Sequence, residues 1–293
     1  MLRSFVFACV VLALLGSSSV SEAFDFLFTR VGREHDLSLL YESSQASAAV
    51  RDGLLLGHGE EQIERLSSGV VHIVQDRVYT QAKHPKTGQL VALPEPWHIH
   101  STLELSPALR LHSLETTLEV HRSIDRAMGY AFTDKVKPLF DWQRVRVHAS
   151  ADGKTLVRST FRFGRDVETT QLDYPAQAIP IEIVGMVLPV AVRQSIDHFD
   201  FELLLPDGAT HRVRASIART RDLTRFAQGY PLPKDQLHFP GELAVVDLWL
   251  AAPLKHLFFP HHFYFVYATA EPTKLLAFWG GDPDDHLQAI RQH

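Results

Sequence analysis

Residues 97–105 read Trp-His-Ile-His-Ser-Thr-Leu-Glu-Leu, and the pattern alternates. A strand sends successive side chains to opposite faces, so Trp97, Ile99, Leu103 and Leu105 fall on one side and His98, His100, Thr102 and Glu104 on the other. The stretch therefore reads as a strand with one wet face, the habit of an antiparallel sheet. Residues 114–120 repeat the device, with Leu114, Leu118 and Val120 opposing Glu115, Thr117 and Glu119.

Two hairpins lie further along. Residues 145–149 and 157–163 flank Ala151-Asp152-Gly153-Lys154, and residues 199–205 and 211–217 flank Pro206-Asp207-Gly208-Ala209. In each, Asp-Gly supplies the positive φ angles that a tight reversal needs. Between the hairpins, residues 174–192 are apolar but broken by Pro175, Pro180 and Pro189. Its continuous part, the fourteen residues 179–192 with Glu182 inside, is too short and too interrupted to span a membrane. It reads as a covering loop or short helix over the sheet, and residues 175–192 as the join between two halves.

Helical signals sit at the ends. Residues 36–50 place Leu37, Leu40, Tyr41, Ser44 and Ala48 at helical spacing, and residues 284–293 begin with acids and end with bases, as a helix dipole prefers. The expected fold is mainly β: a large curved antiparallel sheet, half barrel or open barrel, with a few short helices at the ends.

The first residues carry an export pattern. Arg3 precedes an apolar run over residues 5–15, and small residues stand at Ser21 and Ala23. This is the layout of a secretory signal peptide over 1–23, followed by a segment over 24–68 that could hold a helix, a β-rich domain over 69–281 and a C-terminal helix over 282–293. The expected location is the periplasm of a Gram-negative bacterium. Cys9, the single cysteine, lies inside the leader, so the exported chain would hold together without disulfides. Losing Arg3 and Glu22 leaves the net charge at −5, which offers no global basic field for nucleic acid.

An exported chain, a β meander, the step Tyr174-Pro175, Arg193 ahead of a new strand block, the Pro-Asp-Gly hairpin and a last strand ending Leu275-Leu276-Ala277-Phe278-Trp279-Gly280-Gly281 together resemble a group of uncharacterised exported bacterial all-β proteins. These are similar in style to the periplasmic lipoprotein-carrier half barrels. The resemblance spans about residues 69–281 and implies a fold and a compartment, with no reaction attached.

The chain has 17 histidines among 293 residues, so metal binding has to be weighed. His98 and His100 share the wet face of their strand, a geometry that can present two imidazole nitrogens to zinc or copper, with His112, His121, Glu104 or Glu119 as a further donor by type. The competing reading is a solvated strand face. Arg144 and Arg146 alternate on one strand and Arg212 and Arg214 on another; if those strands are neighbours, a basic stripe meets anionic envelope groups, and otherwise cross-strand acids satisfy them.

No Gly-x-Ser-x-Gly elbow, His-Glu-x-x-His, phosphate loop or dinucleotide fingerprint occurs. The chain therefore reads as non-enzymatic, with no cofactor expected unless zinc or copper.

Residues 258–267, FFPHHFYFVY, put His262, Tyr264 and Val266 on one face and Phe263, Phe265 and Tyr267 on the other, so that strand should be covered on both sides. The leading expectation is an apolar ligand, a lipid or acyl chain, held in the sheet concavity by Ile183, Met186, Phe259, Phe263, Phe265, Tyr267, Trp249 and Trp279. The alternatives are a protein-interaction or scaffold module of the cell envelope, docking through a sheet edge or aromatic patch, and a histidine-dependent metal-binding protein.

Overall fold

The computed structural model describes residues 44–52, 55–83, 89–119, 142–162, 166–205, 208–233, 235, 237–250, 262–272, 275–280 and 287–291. In chain order the strands are β1 (Ser44–Asp52), β2 (Leu55–Arg65), β3 (Val71–Lys83), β4 (Leu90–Leu105), β5 (Leu111–Glu119), β6 (Trp142–Ala149), β7 (Thr155–Arg162), β8 (Glu168–Asp173) and β9 (Ala178–Pro180). A 3-10 turn, Ile181–Ile183, leads into helix α1 (Val184–Arg193). There follow β10 (His198–Leu204), β11 (Thr210–Thr220), β12 (Leu243–Leu250), β13 (His262–Ala268), β14 (Leu275–Gly280) and β15 (Leu287–Arg291).

All fifteen strands join one sheet, in the order β8, β7, β6, β5, β4, β3, β2, β1, β15, β14, β13, β12, β11, β10, β9. Every pairing is antiparallel except β9 with β10. The sheet is two meanders, β1 to β8 and β9 to β15, stapled together where β1 meets β15 and Ala48 stands opposite Arg291. Its two free edges, β8 and β9, are only residues 174–177 apart in sequence, so the sheet has to curl until they nearly touch. The result is an open barrel with a seam.

The concave side is filled by protein. Helix α1, Val-Gly-Met-Val-Leu-Pro-Val-Ala-Val-Arg, is apolar all round, and Val184 and residues 187–192 are buried. Such a helix is stable only when enclosed. It shares one continuous core with Ile63, Ile73, Leu103, Leu114 and Val147 of the first meander and with Phe199, Val213, Val246 and Tyr267 of the second. Each buried Val or Leu contributes about 1.5–3 kcal/mol, so the helix holds the two meanders to a common interior.

Pro189 lies inside α1 and has no N–H to donate to the carbonyl four residues back, that of Gly185. The Tyr267 hydroxyl from β13 donates to that carbonyl at 2.9 Å instead. One side chain thus satisfies the orphaned acceptor and fixes the depth of the helix.

On the outer face of β12 to β15, residues 221–233 and 237–242 form a second layer. Leu223, Leu232 and Phe239 pack over Val245, Val266, Ala277, Trp279 and Ile290. Trp279 Nε1 donates to the Phe226 carbonyl at 3.0 Å, which pins the layer down. Strand β13 is accordingly covered on both faces, as its composition suggests.

The ends differ from expectation. Residues 287–291 form strand β15, not a helix, and residues 44–52 form strand β1 where a helix over 36–50 is expected. A short isolated helix is marginal in water, whereas each of these segments gains a backbone ladder on both sides. Since β1 and β2 belong to the sheet, residue 69 is no boundary; it lies in the turn between β2 and β3, where Gly69 takes φ +81. Residues 1–43 lie outside the described set, as do Pro206 and Asp207 of the second hairpin turn, whose Gly208 has φ +86.

Tyr267→Phe leaves the Gly185 carbonyl unsatisfied in the core. It is expected to lower the unfolding free energy by about 1–3 kcal/mol in urea titrations, with little change in the circular dichroism of the folded state.

Candidate interaction site at the open seam

The seam is tied at one end by an arginine. Arg110, in the turn between β4 and β5, donates through Nη1 to the carbonyls of Pro175 (2.8 Å), Ala176 (2.9 Å) and Ala178 (3.5 Å). Through Nη2 it donates to Gly153 and Tyr174, both at 3.2 Å. Its guanidinium lies 3.5 Å over the Tyr174 ring, and the Tyr174 hydroxyl accepts from Leu111 N–H at 3.0 Å. A planar five-donor fork can gather carbonyls from two other turns at once; an ammonium cannot. Burial lowers the Arg110 pKa from its ordinary value and raises that of Tyr174.

The turn that presents Arg110 is strained. Leu109 sits at φ 56 with its side chain in the core, and Arg110 N–H is held by Ser106 Oγ at 3.1 Å. A branched residue in that region costs on the order of 1–3 kcal/mol, which the clamp and the buried leucine offset.

Two further contacts cross the seam. A Cβ on Gly208, in the turn between β10 and β11, would lie 2.8 Å from Leu172 of β8, so the two edges are in contact there. Arg158 of β7 pairs with Glu182 of the 3-10 turn at 3.5 Å. Burial pushes the Glu182 carboxyl up, against the pull of Arg158.

Among the described residues, no backbone ladder joins the two edges. β9 covers only Glu202, Leu203 and Leu204 of β10. Among the described residues, no strand pairs with the outer edge of β8, and residues 198–201 of β10 are paired only on their β11 side. Strand β8 is exposed at every position except Leu172, and the exposed apolar side chains Val167 (50%) and Ile181 (45%) flank the gap. An open strand edge is a row of unspent donors and acceptors.

The outer face of the second meander carries the other polar group. Strand registry places Arg214 opposite Trp249 and Trp249 opposite His262. His262 Nδ1 donates to Asp247 at 2.7 Å, and the imidazole stacks on Tyr264 with centroids 5.8 Å apart. The bond to Asp247 raises the His262 pKa above the usual imidazole value, while burial first and then Asp247 and Tyr230 push the Tyr264 phenol up to about 12.

The expected ligand residues divide between the two faces. Ile183, Met186, Phe263, Phe265 and Tyr267 belong to the interior core with α1, whereas Trp279 lies in the outer layer and Trp249 beside His262. Phe259 lies outside the described residues. The two arginine stripes do not adjoin: β6 and β11 are separated across the seam by β7, β8, β9 and β10. Arg146 is bound by Glu115 through two bonds of 2.8 and 3.2 Å, Arg212 by Asp200 at 2.7 Å, and Arg144 lies over Phe161 at 4.1 Å. Arg214 reaches Asp200 only at 3.9 Å.

The histidines are likewise not gathered. His100 donates to Asp76 at 2.6 Å, and His98 stands opposite Glu119, seven residues along β5 from His112, roughly 23 Å at ~3.3 Å per residue. His121 lies outside the described residues. Among the described residues no group of three or more His, Cys, Asp or Glu is placed to hold a metal ion. No helix among them is long and apolar enough to cross a membrane.

Sequence reasoning missed Arg110, Asp247 and the β8 edge. Arg110 carried no pattern, because its acceptors are backbone carbonyls. Asp247 could have been found as the one acid in the apolar run of residues 243–250.

No family model and no curated protein matches the chain. Among solved structures, the chain is similar to a β-barrel-like protein of Domain of Unknown Function DUF1849 from Brucella abortus, with a TM-score of 0.51 and 8% identity over 86% of this chain and 96% of that one. At so low an identity the likeness concerns the fold alone, and it agrees with the curled antiparallel sheet.

Two outcomes follow from this geometry. Arg110→Ala is expected to destabilise the protein by about 3 kcal/mol in urea titrations, and Arg110→Lys to recover only part of it, since charge without the fork cannot serve both acceptor segments. A raised His262 pKa gives a stabilisation that is complete below about pH 6.5 and fades as pH rises through the folded-state value. The difference in urea midpoint between wild type and Asp247→Asn should therefore be largest in acid and shrink towards alkaline pH; a constant difference would remove the assignment.

Proposed function

We propose that the protein is a non-enzymatic interaction module of the cell envelope, reached by export, that takes up an extended segment of a partner protein at the open seam. The carrying observation is the unpaired, exposed edge of β8 in a sheet whose other strands, apart from β9, are paired on both sides. An extended peptide adds to such an edge through main-chain hydrogen bonds, and Val167 and Ile181 offer it apolar contacts at the margins. The leader pattern of residues 1–23 supports the compartment.

A lipid or acyl chain in the concavity is the weaker reading. α1 and the inward side chains of both meanders already occupy that space, and Phe199, Tyr267 and Leu188 are at most 1% exposed.

A photo-crosslinker at position 170 should yield one dominant protein adduct in cells, and the same group at position 102, on the outer face of interior strand β4, should not. A synthetic peptide matching the crosslinked segment should slow amide exchange across residues 168–171. Neighbouring backbone N–H groups in a strand point to opposite sides, so one of Thr169→Pro and Thr170→Pro spares the β7 ladder and removes an outward donor; that variant should lose the peptide while remaining folded. Unchanged exchange in β8 on peptide addition would sink the proposal.

A further inference from the structure

We infer that the outer face of β11 to β13 is a binding site for an acidic saccharide, built around Trp249 with Arg214 on one side and His262 on the other. The observation is independent of the seam. Strand registry sets the three side chains in one transverse row, Arg214 opposite Trp249 and Trp249 opposite His262. With strands about 4.8 Å apart, the two basic residues stand roughly 10 Å apart with a partly exposed indole between them.

Each member of the row is oriented by a neighbour. Asp200 is taken by Arg212, whose Nε and Nη2 approach it at 2.9 and 2.7 Å, so Arg214, 3.9 Å from the same oxygen and 55% exposed, keeps its fork for a ligand. His262 gives Nδ1 to Asp247, is enclosed by the Trp249 and Tyr264 rings at 5.9 and 5.8 Å, and accepts a 3.4 Å bond at its carbonyl from Tyr230 Oη. Its Nε2 has no part in these bonds.

The chemistry of this row selects the ligand. An indole face carries negative quadrupole density and receives the polarised C–H face of a sugar ring. A guanidinium takes a carboxylate or sulfate through two parallel bonds, and an imidazolium adds a third donor. An acidic peptide is disfavoured here, because β11, β12 and β13 are each paired on both sides and offer no backbone edge.

Calorimetric titration of the full chain with a galacturonic acid hexasaccharide and with a sulfated heparin hexasaccharide tests the inference, with maltohexaose and hexaglutamate as controls. At least one acidic saccharide should bind saturably, with both controls about tenfold weaker or more. Trp249→Ala and the surface change Arg214→Gln should each weaken binding about tenfold, and Arg214→Lys less. Should Trp249→Ala fail to fold, Arg214→Gln carries the test alone. Binding by neither acidic saccharide, equal binding of hexaglutamate or of maltohexaose, or affinity unchanged in Arg214→Gln would overturn it.

Discussion

The architecture depends on one arginine that has no acidic partner among the described residues. Curling a fifteen-stranded sheet until its edges meet brings three turns together at one end of the seam, and turns expose carbonyl oxygens. Arg110 satisfies five of these with one planar group and rests that group on Tyr174. A carboxylate partner would have satisfied the charge and left the carbonyls bare. The positive φ of Leu109 belongs to the same solution, since it sends the leucine inward and the next residue across the seam.

The clamp also explains why the seam is asymmetric. Where Arg110, Gly208 and the Arg158–Glu182 pair act, the first and second meanders are in contact; among the described residues no strand pairing joins β8 to β9. The interior needs no further closure, because α1 fills it and Tyr267 fixes the helix through the carbonyl that Pro189 leaves free. A barrel stabilised from within can keep an edge open.

Local pattern made much of this fold readable, and distance in sequence hid the rest. The strands around residues 97–105 and 114–119 declare themselves by alternation, and the hairpin at Gly153 by its turn residues. The apolar, proline-broken segment announces a special role, but its place inside the sheet follows only from closure. β1 and β15 have helix-like local composition, and each is a strand because of what it lies beside. Arg110 makes its contacts with residues up to 68 positions away, and backbone carbonyls leave no trace in composition. His262 stood out early, yet the features that give it meaning, Asp247 and Arg214, are set by registry across strands.

The pairing of β1 with β15 also shapes how the chain can fold. Either meander forms mainly from contacts between strands adjacent in sequence, which are more local than the pairing of β1 with β15. The staple that makes them one sheet joins Ala48 to Arg291, with nearly all of the described chain between. Its closure entropy has to be met before the shared interior repays it, so union of the halves is the slow event. Until then α1, which follows β9 and belongs to the core of both halves, has only part of its burial, and its apolar surface stays exposed.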